Sequence, residues 1–191
     1  MPTTAWLEVR LALFGALQLA KGDRGGLAWF DRSLDGFWRS FRAAAIAYPL
    51  YLMLLMMRVS VSEWERSGGL HILTVETIAY IIAWAAFPLI MLTVTQRIDR
   101  AHRFFDFMVP YNWSQVPQSA LFVLVGLQTE SGVLGAPAAQ AIEVAAVIAF
   151  LVYEWFIARV ALDTTAAAAA FVVFIDVVLE ILINHTASSL Y

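Results

Sequence analysis

Long uninterrupted apolar runs dominate the hydropathy pattern of this chain, in place of the short alternations of a water-soluble fold. About 20 mostly apolar residues cross a hydrocarbon core of about 30 Å at about 1.5 Å per residue. Four stretches meet that measure. The first is 43–59, preceded by Arg39 and Arg42 and closed by Arg58; the second is 70–96, bounded by Gly68-Gly69 and Arg97. The third and fourth are 137–160 and 164–183, joined by a short turn near Asp163. A weaker stretch lies between them at 110–127, with Asn112, Ser114, Gln115, Gln118 and Ser119 in its first half and prolines at Pro110 and Pro117. Taken as a span, it is a polar, proline-broken helix of the type that forms binding sites in transporters. The alternative is a half-helix dipping into the membrane. Pro49 and Pro88 also interrupt their spans, a weak signal because proline is common in membrane helices.

The expected fold is all-α: a polytopic membrane protein of about five transmembrane helices, made of an arm over 1–41 and a helical membrane domain over 42–191. The arm is too short on apolar residues to span. Its stretch of ten from Leu11 to Ala20 resembles a signal-peptide core, but Glu8 occupies the flank that should be positive and Gln18 fits a cleavage site badly. The arm therefore reads as an amphipathic helix on the cytoplasmic leaflet, with Trp6, Leu7, Phe14 and Leu17 toward lipid. After Gly25-Gly26, Leu27, Phe30, Leu34, Phe37 and Phe41 recur at spacings of three and four, which predicts one second interfacial helix feeding the first span. Residues 97–108, with Phe104, Phe105 and Phe107 among alternating charges, predict a third interfacial segment.

Composition strengthens the membrane reading. Of 191 residues, 61% are hydrophobic and only 14% charged, against about 25% charged in a soluble domain that needs a polar shell. With no cysteine, disulfides, thiolate metal sites and thiol nucleophiles are excluded. The net charge of −3 and the lack of a basic patch argue against nucleic-acid binding. Most of the seven tryptophans fall near span ends, where amphipathic rings settle.

Positive loops stay cytoplasmic. With five spans, Arg10, Lys21, Arg24, Arg32, Arg39, Arg42, Arg97, Arg100, Arg103 and Arg159 share one side, and only Arg58 and Arg66 fall on the other. This puts the N-terminus in the cytoplasm and the C-terminus outside. With four spans the split is nine to three and the C-terminus moves inside, an alternative the charge rule leaves open.

Ionisable groups inside hydrocarbon are expensive and demand a reason. Five qualify: Glu76, Glu143, Glu154, Asp176 and Glu180. The helical rise places Glu76 and Glu143 at about 9 Å below the outer face and Glu180 about level with them. Asp176 lies one turn deeper on the face of Glu180, and Glu143 shares a face with Glu154 three turns away. No basic residue is expected at that layer, so the cluster is expected to hold protons. The functional reading is a proton- or cation-responsive vestibule open to the outer side. The structural reading is that each acid is satisfied by a neighbouring helix, or that the outer three lie among headgroups.

Arg159 and Asp163, four apart, predict a structural ion pair at the inner turn. The bulk-free run Ala166 to Ala170 either admits a neighbouring backbone closely or is simple alanine-rich helix. His71, His102 and His185 are scattered, without the spacing of three or four that a helical metal site uses, and no catalytic motif or phosphate loop occurs. No enzyme activity, metal or cofactor is expected.

The arm, the closely spaced spans, the polar opening Tyr111-Asn112-Trp113-Ser114-Gln115-Val116-Pro117 and the tight hairpin from Trp155 to Ala170 resemble bacterial members of the Yip1 family. The resemblance covers most of the membrane region and implies a five-span protein of the bacterial inner membrane. Eukaryotic Yip1 proteins are linked to small GTPases and vesicle traffic. Their acidic-Leu-Tyr-Gly-Pro type motif does not occur in this arm, so that role is not implied. Two functions stand open: a membrane scaffold or accessory protein, without catalysis, that binds partner proteins or lipids; and a small transporter or channel, assembled as a homo-oligomer, with an acidic vestibule.

Overall fold

The computed structural model describes residues 5–191, and these are helical almost throughout. The first four residues of the expected arm lie outside the described ones. The eight α-helices are α1 (Ala5–Ala20), α2 (Leu34–Ser40), α3 (Arg42–Arg58), α4 (Val61–Ser67), α5 (Gly69–Arg97), α6 (Phe104–Glu130), α7 (Ala136–Ala161) and α8 (Ala166–Ser188).

Four of the predicted spans are present as helices long and apolar enough to cross a bilayer: Leu34–Arg58, Gly69–Arg97, Ala136–Ala161 and Ala166–Ser188. The fold is thus an all-α polytopic membrane protein. The expected count of five apolar spans is corrected to four, because α6 is long enough but too polar. Its surroundings explain that composition: α1, α2, α3, α5 and α7 all pack against it, and its polar first half is buried against protein in place of lipid. Nor is α6 broken. Pro110 and Pro117 sit inside one continuous 27-residue helix, each removing a single backbone bond to the carbonyl four residues earlier.

The two ends of the bundle are fixed by cross-links between loops. At one end, Arg100 Nε donates to the Asp163 carbonyl at 3.0 Å, and Arg32 pairs with Asp106 at 3.1 Å. At the other, the Ser67 hydroxyl donates to the Tyr191 carbonyl at 2.8 Å and His71 Nε2 lies 3.0 Å from the Leu190 carbonyl. α6 begins at the first end, beside Asp106. It approaches the second where a Cβ on Gly126 would sit 2.8 Å from Met57 Sδ. It therefore runs the length of the bundle.

The arm differs from its expectation in two ways. Trp6, Leu7, Phe14 and Leu17 of α1 are exposed as anticipated, but Ala12, Gly15, Ala16 and Leu19 are buried against the protein. Gly15 is required there, since a Cβ would stand 2.8 Å from Phe30 and 2.9 Å from the Gly26 carbonyl. The expected single helix from Leu27 to Phe41 is instead a 3₁₀ turn, Arg24–Trp29, and the short α2. Ser33 caps α2 by accepting from the Gly36 N–H at 3.0 Å, which starts a new helix in mid-stripe. Finally, Phe104 and Phe107 do not face lipid: they open α6 and are buried with Phe37 and Phe87 in the core.

Candidate functional site

The polar half of α6 turns inward. Asn112 Nδ2 donates to Ser40 Oγ at 2.8 Å, and Ser40 in turn donates to the Phe37 carbonyl at 2.6 Å. Ser114 Oγ donates to the Tyr111 carbonyl at 2.7 Å and accepts from Gln118 Nε2 at 3.2 Å. Buried polar groups need such partners, and one atom here lacks any: Gln118 Oε1. The amide orientation is fixed by Ser114, whose only hydrogen is already given to Tyr111, so it accepts from the Gln118 nitrogen and leaves the oxygen free.

Next to this face stand three of the predicted acids. Tyr111 Oη donates to Asp176 Oδ2 at 2.7 Å, and Gln115 Nε2 reaches Glu154 Oε1 at 3.4 Å. Glu154 of α7 and Asp176 of α8 are nearly fully buried, each held to the polar face of α6 by one of these contacts. Glu154 Oε2 has no donor, and no basic side chain pairs with either acid among the described residues. Glu180, one turn along α8 on the same face, is more exposed and has no ion-pair partner there either.

Three cavities converge on this place, and all are lined by both Gln115 and Glu180. One of about 70 Å³ also reaches Asp176, Tyr111 and Asn112. A second, about 160 Å³, lies toward Tyr51, Tyr80 and Trp84. The third, about 380 Å³, lies between α6, α7 and α8 beside Gln118, Ser119 and Phe122. Glu180 is thus the carboxylate at the mouth and Asp176 the one at the floor.

The other predicted residues are placed elsewhere. Glu76 is fully buried, with a complete set of donors: Arg58 Nη2 at 2.7 Å, Tyr191 Oη at 2.6 Å and the Tyr51 hydroxyl. The expectation that no base reaches the acid layer is corrected by Arg58, which extends back from the end of α3 and also donates to Asn184 Oδ1 at 3.3 Å. Glu143 is exposed, because α7 stands away from the bundle over 136–145, and it does not join Glu154 despite the shared face. The layer of Glu76, Glu143 and Glu180 is therefore replaced by the cluster of Glu154, Asp176 and Glu180.

The ion pair of Arg159 with Asp163 does not form. Helix α7 ends at Ala161 and Asp163 adopts φ 47°, so the spacing of four no longer superposes the two side chains. The Asp163 carboxylate faces Arg103 at 3.9 Å. Pro117 lies on α6 between the two polar turns and bears no polar contact of its own.

Sequence reasoning passed over Tyr51, Tyr80 and Trp84. Tyr48, Tyr51, Tyr80 and Trp84 recur at three and four within two spans, an aromatic pattern that marks one shared seam. No protein family, curated protein or solved structure matches the chain.

Proposed function

We propose that the protein is a small membrane carrier in which a cation and a proton compete for the acidic cleft of Glu154, Asp176 and Glu180. The observation that supports this best is the pair of buried carboxyls held on α6, Glu154 with a donorless oxygen and Asp176 lining a cavity whose mouth carries a third carboxylate, Glu180. Buried charge without a partner is unfavourable, so the cleft is neutral when protonated and needs a cation when it is not. The titratable groups around it are Tyr51 from α3, Tyr80 from α5, Tyr111 from α6, Glu154 from α7, and Asp176 and Glu180 from α8; none is basic. In this reading α6 is a fifth crossing, shielded by its neighbours, and the N-terminus is cytoplasmic in a bacterial inner membrane. Kinship with the Yip1 family belongs to the same proposal, supported by the polar opening 111–117.

The test is proton flux in liposomes reconstituted with the full chain. Flux driven by an outward cation gradient is expected in the wild type, to fall at least about tenfold in Asp176→Asn and Glu180→Gln, and to persist in Glu143→Gln. Equal flux in all four proteins, or none in any, defeats the carrier reading.

The accessory reading is favoured by a different observation, the exposed row Trp6, Leu7, Phe14, Leu17, Trp29 and Trp38 on the arm. A native mass measurement after mild-detergent extraction separates the two: a heteromeric complex supports the accessory protein, and a homo-oligomer supports the carrier.

A further inference from the structure

The walls of the cleft limit what its occupant can be. Around the 160 Å³ cavity the hydroxyls of Tyr51 and Tyr80 are already used, the first on Glu76 and the second on the Ala44 carbonyl at 2.8 Å. What remains for a ligand are the rings, tilted against one another in sequence with centroids 4.7 Å apart between Tyr51 and Tyr80 and 6.0 Å between Tyr80 and Trp84. Aromatic faces attract cations, most strongly when water is excluded. The volume matches the aromatic-sized group that a buried apolar void of about 150 Å³ can hold.

The polar atoms point the same way. One N–H of Gln115 and one of Asn112 are given to Glu154 and Ser40. Two acceptors here have no donor: the Glu180 carboxylate at the centre, and the oxygen of Gln118, a buried residue that lines the 380 Å³ cavity. An occupant that satisfies both brings positive charge and an N–H donor, and the ring faces add a place for apolar bulk. A bare metal ion suits this poorly, since no group of three or more acidic or histidine side chains converges closely enough to hold one among the described residues.

We infer that the cleft binds a lipophilic molecule carrying a protonated amine, with the ammonium between Glu180 and Gln118 and its aromatic or aliphatic body against Tyr51, Tyr80 and Trp84. This deepens the carrier reading and rests on it for the cleft being a transport site. Glu180 supplies charge complementarity, Gln118 selects for N–H, and the ring faces select for an organic cation over an inorganic one.

The experiment is calorimetric titration of the full chain in lipid nanodiscs at pH 7.5 with three probes: phenethylammonium, benzyltrimethylammonium, which has no N–H, and neutral benzyl alcohol. Phenethylammonium is expected to bind tightest, benzyl alcohol least. Glu180→Gln should weaken phenethylammonium by about tenfold or more, the loss of a charge-assisted contact. Gln118→Leu should weaken it while leaving benzyltrimethylammonium unchanged. Trp84→Phe keeps the packing and should weaken both cations by a few-fold. Should Glu180→Gln unfold, Gln118→Leu and Trp84→Phe still decide the matter.

Equal binding of alcohol and amine, or amine affinity unmoved by all three variants, overturns the inference. Proton flux that still depends on Asp176 and Glu180, in a protein that ignores all three probes, rejects the amine while keeping the carrier. Absence of both flux and binding rejects both.

Discussion

Glu76 shows how one buried carboxyl group can be satisfied by three donors from separate parts of the chain. The Tyr191 phenol belongs to that set, and burial first, then its bond to Glu76, pushes it up to about 12 from 10.0. Because the folded value is the higher one, this contribution is complete below pH 10 and disappears as pH rises through about 12. Tyrosinate absorbance, read as the difference between wild type and Tyr191→Phe, is expected to titrate near the upper limit. A midpoint near 10 would mean that the C-terminal tie is not made. Removing Arg58 is a harsher change, since it strips the only cation from a buried acid. Arg58→Ala is expected to cost about 3 kcal/mol, and Arg58→Met combined with Glu76→Leu to recover much of it. Denaturant unfolding in detergent measures both. That Glu76 needed a partner was legible from its depth in an apolar run. Which partner was not, because Arg58 and Tyr191 are brought to it only by the packing of α3 and α8 against α5.

At the scale of elements, period and length made four helices readable, since a bilayer demands long apolar segments whatever their neighbours. α6 escaped the same rule because its neighbours replace lipid, and no local pattern in 110–127 announces which helices will surround it. The α7 acids failed for the converse reason. Glu143 and Glu154 do share a face, but only the inner half of that face has anything packed on it. The crossing of α6 can be tested directly because the chain has no cysteine of its own. His102→Cys and Ser131→Cys each provide one thiol, at opposite ends of the helix. In oriented vesicles an impermeant maleimide should label Ser131→Cys from outside and His102→Cys only after permeabilisation. Labelling of both from the same side would exclude a fifth crossing.

For the whole molecule the decisive matter is whether the space around Gln115 and Glu180 is a working cleft or a packing defect. In the sequence the acids and the polar turn of α6 were visible as separate anomalies. The cleft itself depends on α3, α5, α6 and α8 not closing completely, which no single segment encodes. Substitution by a larger side chain separates the two cases. Ser119 lines both the 160 Å³ and the 380 Å³ cavities, and its replacement by leucine adds apolar volume where there is room. In a close-packed core, such an addition costs about 1–3 kcal/mol. Here Ser119→Leu is expected to leave thermal stability unchanged or raise it slightly, because the added group fills space in place of forcing it open. The same variant should lose the cation-driven proton flux by about tenfold, the Glu154, Asp176 and Glu180 carboxyls all being intact. Stability falling together with flux would identify a packed interior. Stability kept with flux retained would show that nothing needs to pass Ser119. Stability kept with flux lost is the combination that only an open and used cleft produces.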